Sequence, residues 1–77
     1  MITTIVRAKI IQEMVILFGN RIKNIAHDGT KVVLGNLTAY ITIPTEECKT
    51  ILTLYDTKSK ILIGEYDSVK SMYDALT

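Results

Sequence analysis

The stretch Met14-Val15-Ile16-Leu17-Phe18-Gly19-Asn20-Arg21-Ile22-Lys23-Asn24-Ile25 decides how the rest of the chain is read. Two readings compete for it. In one, Gly19-Asn20 is a two-residue hairpin corner, because glycine at the first central position supplies the positive φ of a type II′ turn. In the other, Ile11, Met14, Val15, Phe18, Ile22 and Ile25 form the apolar stripe of a helix. That helix would have to run through Gly19-Asn20, an unfavourable pair in a helix interior. It would also have to absorb the β-branched start from Ile2 to Val6. The hairpin reading is therefore preferred, with residues 2–10 as a further strand.

Similar corners follow at Asp28-Gly29 and Gly35-Asn36. Asp-Gly suits a type I′ turn and Gly-Asn a type II′ turn. The pattern predicts strands over residues 13–18, 21–27, 30–34 and 37–43. Val15–Ile25 and Lys31–Ile41 echo each other as apolar-Gly-Asn with an isoleucine five residues after the asparagine, one hairpin solution used twice. Twelve isoleucines, five valines and ten threonines among 77 residues fit pleated surfaces.

Two-residue corners fix register. Gly19-Asn20 would pair Phe18 with Arg21, Ile16 with Lys23 and Met14 with Ile25. Asp28-Gly29 would pair Ile25 with Val32, and Gly35-Asn36 would pair Leu34 with Leu37 and Val32 with Ala39. The resulting core face holds Met14, Ile16, Phe18, Ile25, Val32, Leu34, Leu37, Ala39, Ile41 and Ile43. The opposite face would hold Val15, Leu17, Ile22, Val33 and Tyr40, too apolar for a solvated sheet face. A second copy of the chain is the simplest cover for it, so a homo-oligomer, and a dimer first, is expected.

Past Pro44, the segments around Thr50–Tyr55 and Lys60–Tyr66 predict another hairpin across Asp56-Thr57-Lys58-Ser59. Val69, Met72, Tyr73 and Leu76 then fall on one helical face, with Asp67 or Ser68 as N-cap. The expected fold is a single α+β domain over residues 1–77. It is an antiparallel β-meander of five to seven strands, or a small partly closed barrel, with one short C-terminal helix.

The chemistry on offer is thin. His27 and Cys48 occur once each, so a disulfide within the chain is impossible and a Cys/His metal site is not expected. The four glycines are scattered and open no helix, so no phosphate loop is read. Glu46-Glu47 are sequence neighbours that would point apart on a strand. No catalytic residue, cofactor or metal is assigned, and a non-enzyme is expected. The tyrosine-aspartate pairs at 55–56 and 66–67 read as strand ends running into turns.

The net charge is +1. Residues 1–33 carry five basic and two acidic side chains, residues 34–77 four basic and six acidic. An oligonucleotide-binding barrel using Arg7, Lys9, Arg21 and Lys23 is thus the alternative to a protein-interaction module. However, all four tyrosines lie within residues 34–77 and do not interleave with these cations. No apolar run is long enough for a membrane span, and a reducing cytoplasmic location is expected.

The run Lys60-Ile61-Leu62-Ile63-Gly64-Glu65-Tyr66-Asp67-Ser68, followed by Val69 to Leu76, resembles the close of small proteins encoded by phages and prophages of Gram-positive bacteria. Lys70, Ser71 and Asp74 stand where those proteins carry an acidic, glutamate-rich helix. The resemblance covers residues 60–76 and implies a small accessory protein, with no residue roles attached. The expectation is a non-enzymatic accessory or regulatory module that self-associates through Val15, Leu17, Ile22, Val33 and Tyr40. A small structural component of a virion is a further alternative.

Overall fold

The computed structural model describes residues 2–76, and Ile2–Phe18 form a single α-helix, α1. This overturns the strands expected over residues 2–10 and 13–18. Burial decides the matter. Ile10, Met14 and Phe18 repeat every four residues and all three are buried, with Val6, Ile11 and Leu17 packed beside them. Fully burying such side chains contributes about 1.5–3 kcal/mol each, against a few tenths for each β-branched residue placed in a helix. Gly19 then ends α1 at φ +48°, the left-handed conformation in which helices commonly stop. A short 3₁₀ turn, Gly19–Arg21, carries the chain out, closed by Ile22 N–H donating to the Gly19 carbonyl at 3.1 Å. The pairings of Phe18 with Arg21, Ile16 with Lys23 and Met14 with Ile25 therefore do not form.

From Asn24 onward the chain is an antiparallel meander. Its strands are β1 (Asn24–Ile25), β2 (Lys31–Leu34), β3 (Leu37–Ile41), β4 (Leu52–Asp56) and β5 (Leu62–Tyr66), paired in sequence order. The sheet is open, with β1 and β5 as its edges, so no barrel closes.

The expected register holds throughout the first two hairpins. Ile25 faces Val32, Val32 faces Ala39 and Leu34 faces Leu37. At Gly35-Asn36 only the glycine has positive φ (+66°), as a type II′ corner requires. The Asp28-Gly29 corner differs from the type I′ expectation. Gly29 alone has positive φ, and its N–H donates to the Ala26 carbonyl at 2.9 Å. The loop is thus a wider turn with a left-handed glycine, and the register survives because the loop stays symmetric about the same point.

The Pro44 segment is folded on itself: Thr45 N–H donates to the Cys48 carbonyl at 2.7 Å, and Thr42 N–H to the Ile51 carbonyl at 2.7 Å. A second helix, α2 (Val69–Leu76), follows β5. Its buried face is the expected one: Val69 and Met72 are buried, and Tyr73 and Leu76 pack against the core. Ser68 is the N-cap, its hydroxyl accepting from Ser71 N–H at 3.0 Å.

Val32, Leu34, Ala39, Ile41, Leu52 and Leu54 meet Ile10, Met14 and Phe18 of α1 and Val69 and Met72 of α2 in one buried cluster. Phe18 also meets Tyr73 edge to face, ring centroids 5.3 Å apart. Both helices therefore lie on one face of the sheet. Ile16 and Ile25, expected inside, are exposed, Ile16 by 73%.

Candidate interaction surface

Among the described residues, the other face of the sheet carries no helix. Residues directly opposite each other across a strand pair share a face, so the register defines this surface: Lys31 and Val33, Thr38 and Tyr40, Thr53 and Tyr55, then Leu62 and Glu65. Tyr40 and Tyr55 are diagonal neighbours and meet edge to face at 5.5 Å. Thr38 is buried and its hydroxyl is 2.8 Å from that of Thr57. A shallow cleft of about 420 Å³ lies here, with Thr38, Tyr40, Thr53, Tyr55, Thr57 and Lys60 among its lining residues.

Beside the cleft the surface turns aliphatic. Ile61, Leu62 and Ile63 are 65%, 50% and 47% exposed, and Tyr40 is 37% exposed. This run does not alternate, because the β4–β5 ladder is irregular. Leu54 faces Gly64 but Tyr55 faces Leu62, so Ile63 is an extra residue, a bulge. The bulge leaves Leu62 and Ile63 both exposed on the edge strand, and Ile61 is exposed just before β5 begins.

The five expected interface residues do not come together. Val33 and Tyr40 lie on the open sheet face. Val15 is exposed on α1, while Leu17 on α1 and Ile22 just beyond it pack against the core. They fail as a set because residues 15 and 17 belong to a helix, where alternation does not put them on one side. Sequence reading missed Tyr55, Ile61, Leu62 and Ile63. The signal was present as three consecutive aliphatics in a strand that should alternate.

The four basic residues of the alternative reading are also dispersed. Arg7 is half-buried, with its Nε enclosed and without a hydrogen-bond partner. Lys9, two residues on, points roughly 200° away around the helix. Arg21 lies over the Phe18 ring, 5.4 Å from its centroid, at the far end of α1. Lys23 is exposed just before β1.

Polar groups with shifted titration serve turns. Thr30 donates to Asp28 Oδ1 from its hydroxyl at 2.6 Å and its N–H at 3.1 Å, holding that carboxyl below its usual value. Ser59 and Lys58 N–H groups do the same for Asp56, at 3.0 and 2.9 Å. The Cys48 thiol is lowered by hydrogen bonding from the Thr50 side chain and backbone. Among the described residues no three His, Cys, Asp or Glu side chains gather into a metal-binding group. Nor, among them, is any helix long and apolar enough to cross a membrane.

Compared with known proteins, the chain matches no family model, no curated sequence and no solved structure.

Proposed function

We propose that the chain is a non-enzymatic accessory module that works by protein–protein contact and self-associates through the open side of its sheet. The observation that carries this reading is the gathering of Tyr40, Ile61, Leu62 and Ile63 on or beside the helix-free face.

The test is the molar mass in solution of the wild type and of Tyr40→Asp and Leu62→Asp, with circular dichroism as a folding control. The wild type is expected above monomer mass, and each variant nearer to it with an unchanged spectrum. A wild type that stays monomeric at every concentration and cross-links to no other chain overturns the reading.

A further inference from the structure

The cleft on the open face is built by one alternating pattern used on two strands. Thr38, Tyr40 and Thr42 lie on and just past β3, and Thr53, Tyr55 and Thr57 on and just past β4. The register sets Tyr40 opposite Thr53 and Thr38 opposite Tyr55, so rings and hydroxyls form a checkerboard. Thr38 is the one buried polar side chain among the described residues. Its hydroxyl and that of Thr57, 2.8 Å apart, hold two protons and need one for the bond between them. The other proton is free to donate into the cleft.

Charge comes from the turn between β4 and β5. Lys60 lines this cleft, and Lys58 lines a second one of about 400 Å³ that shares Asp56 and Thr57 with the first. Asp56 is the one carboxylate in either lining, and its Oδ1 already accepts from the Lys58 and Ser59 N–H groups. The linings together are therefore net positive. Farther out, Lys31 opposite Tyr40 and Glu65 opposite Thr53 balance each other. Lys60 is also the one non-glycine among the described residues with positive φ (+64°). The turn imposes this, with Lys60 N–H donating to the Asp56 carbonyl at 2.9 Å and Asp56 N–H to the Ile61 carbonyl at 3.0 Å. Glycine or asparagine suits such a position better, and neither would bring a cation to the cleft. Non-glycine residues held in this region of backbone space cluster at ligand sites.

We infer that the cleft binds a small ligand with a flat ring and an acidic group, the ring against Tyr40 and Tyr55 and the acid held by the Lys60 ammonium and the spare threonine proton. The ring follows from the tyrosines, which already meet edge to face at 5.5 Å, since a third ring extends such a cluster. The acid follows because the ammonium and the spare hydroxyl proton are both donors. The cleft's volume, about 420 Å³, falls within the range of about 300–1,000 Å³ typical of small-ligand sites. Phosphate and carboxylate satisfy these donors alike. The inference goes beyond protein–protein contact, because one chain supplies the whole cleft.

The experiment is an NMR shift titration of the full chain with uridine monophosphate and with phenylacetate. Uridine and phenylethanol serve as their uncharged counterparts, and protein concentrations run from below to above self-association. At least one acid is expected to saturate with a Kd of about 1 mM, moving Thr38, Tyr40, Tyr55, Thr57 and Lys60. Its uncharged counterpart, and the same acid on Lys60→Gln, are expected to bind about fivefold more weakly. A glutamine there keeps the backbone conformation and removes only the charge. Thr38→Val is expected to weaken the acid by a similar factor. If that variant does not fold, Thr57→Val removes a hydroxyl of the same pair from a less buried site. Saturation by uridine monophosphate alone identifies a phosphate ligand, and by phenylacetate alone a carboxylate. No saturable shift with either acid, shifts centred elsewhere, or equal binding of acid and counterpart overturns the inference. Molar mass on the same samples keeps the two readings apart. A chain that self-associates but binds neither acid overturns this inference only. A monomer that binds an acid and cross-links to no other chain overturns the protein-contact reading only.

Discussion

Gly19 and Gly35 are each followed by asparagine, and each has positive φ, +48° and +66°. Neither would bring an added Cβ within 4 Å of a neighbour. Yet Gly19 closes a helix and Gly35 turns a hairpin. The glycine supplies a left-handed residue and no more. What precedes it decides the outcome. Before Gly35 stands Lys31-Val32-Val33-Leu34, where burial alternates residue by residue. Before Gly19 the buried residues recur every four, back to Ile10. The same punctuation therefore ends two different periods.

The strongest way to break this contrast is to compare residues two apart in each region. On a strand such residues share a face; on a helix they do not. Met14 has 0% and Ile16 73% of its surface exposed. Met14→Ala is expected to cost about 2–5 kcal/mol and Ile16→Ala less than about 0.5 kcal/mol. Val32 and Leu34 are both buried, so truncating either should cost on the Met14 scale. Chemical denaturation of the four variants measures this. Equal losses at positions 14 and 16 would return the segment to a strand.

The same contrast explains what the sequence makes legible. From Ile25 to Ile41 the pattern is local: two-residue spacing sets the register, and alternate burial follows from it. The C-terminal helix is legible because Val69, Met72, Tyr73 and Leu76 form one stripe beside polar residues. In α1 the stripe is blurred, because Ile5, Val15 and Ile16 are apolar residues on the solvent side. No single face stands out until the sheet chooses one. The candidate surface is half legible for a related reason. Val33 and Tyr40 follow from hairpin register, but Ile61–Ile63 depend on a bulge, and no turn residue marks it.

Substitution at the corners sharpens the comparison at a smaller scale. Gly19→Ala and Gly35→Ala meet open space, so their cost is conformational, about 1–2 kcal/mol each by thermal or urea unfolding. Asparagine at either site should recover part of that loss, because it tolerates left-handed backbone. If only Gly35→Ala destabilises, α1 simply continues past residue 19. Lys60→Gly reverses the sign. Relieving φ +64° should stabilise the fold by up to about 1 kcal/mol in the same unfolding measurement.

The smallest effect separates corners held by glycine alone from corners also held by a carboxylate. Asp28 and Asp56 accept hydrogen bonds from turn N–H groups, and both have pKa values lowered from 3.8. A lowered folded-state pKa means the unfolded chain takes up the proton first as pH falls. The stabilisation is therefore fully present above the unfolded value near 3.8 and is lost as pH drops through the lower folded values. Both carboxyls are exposed to solvent, which keeps the effect modest. Urea midpoints of the wild type should fall with acid in that window. Asp28→Asn and Asp56→Asn should each flatten the fall, and the double variant more than either. The Gly19 and Gly35 corners use no carboxylate, so their alanine variants should keep the full wild-type acid slope. A double variant with an undiminished slope would place the titrating groups elsewhere and leave these two turns held by their backbone alone.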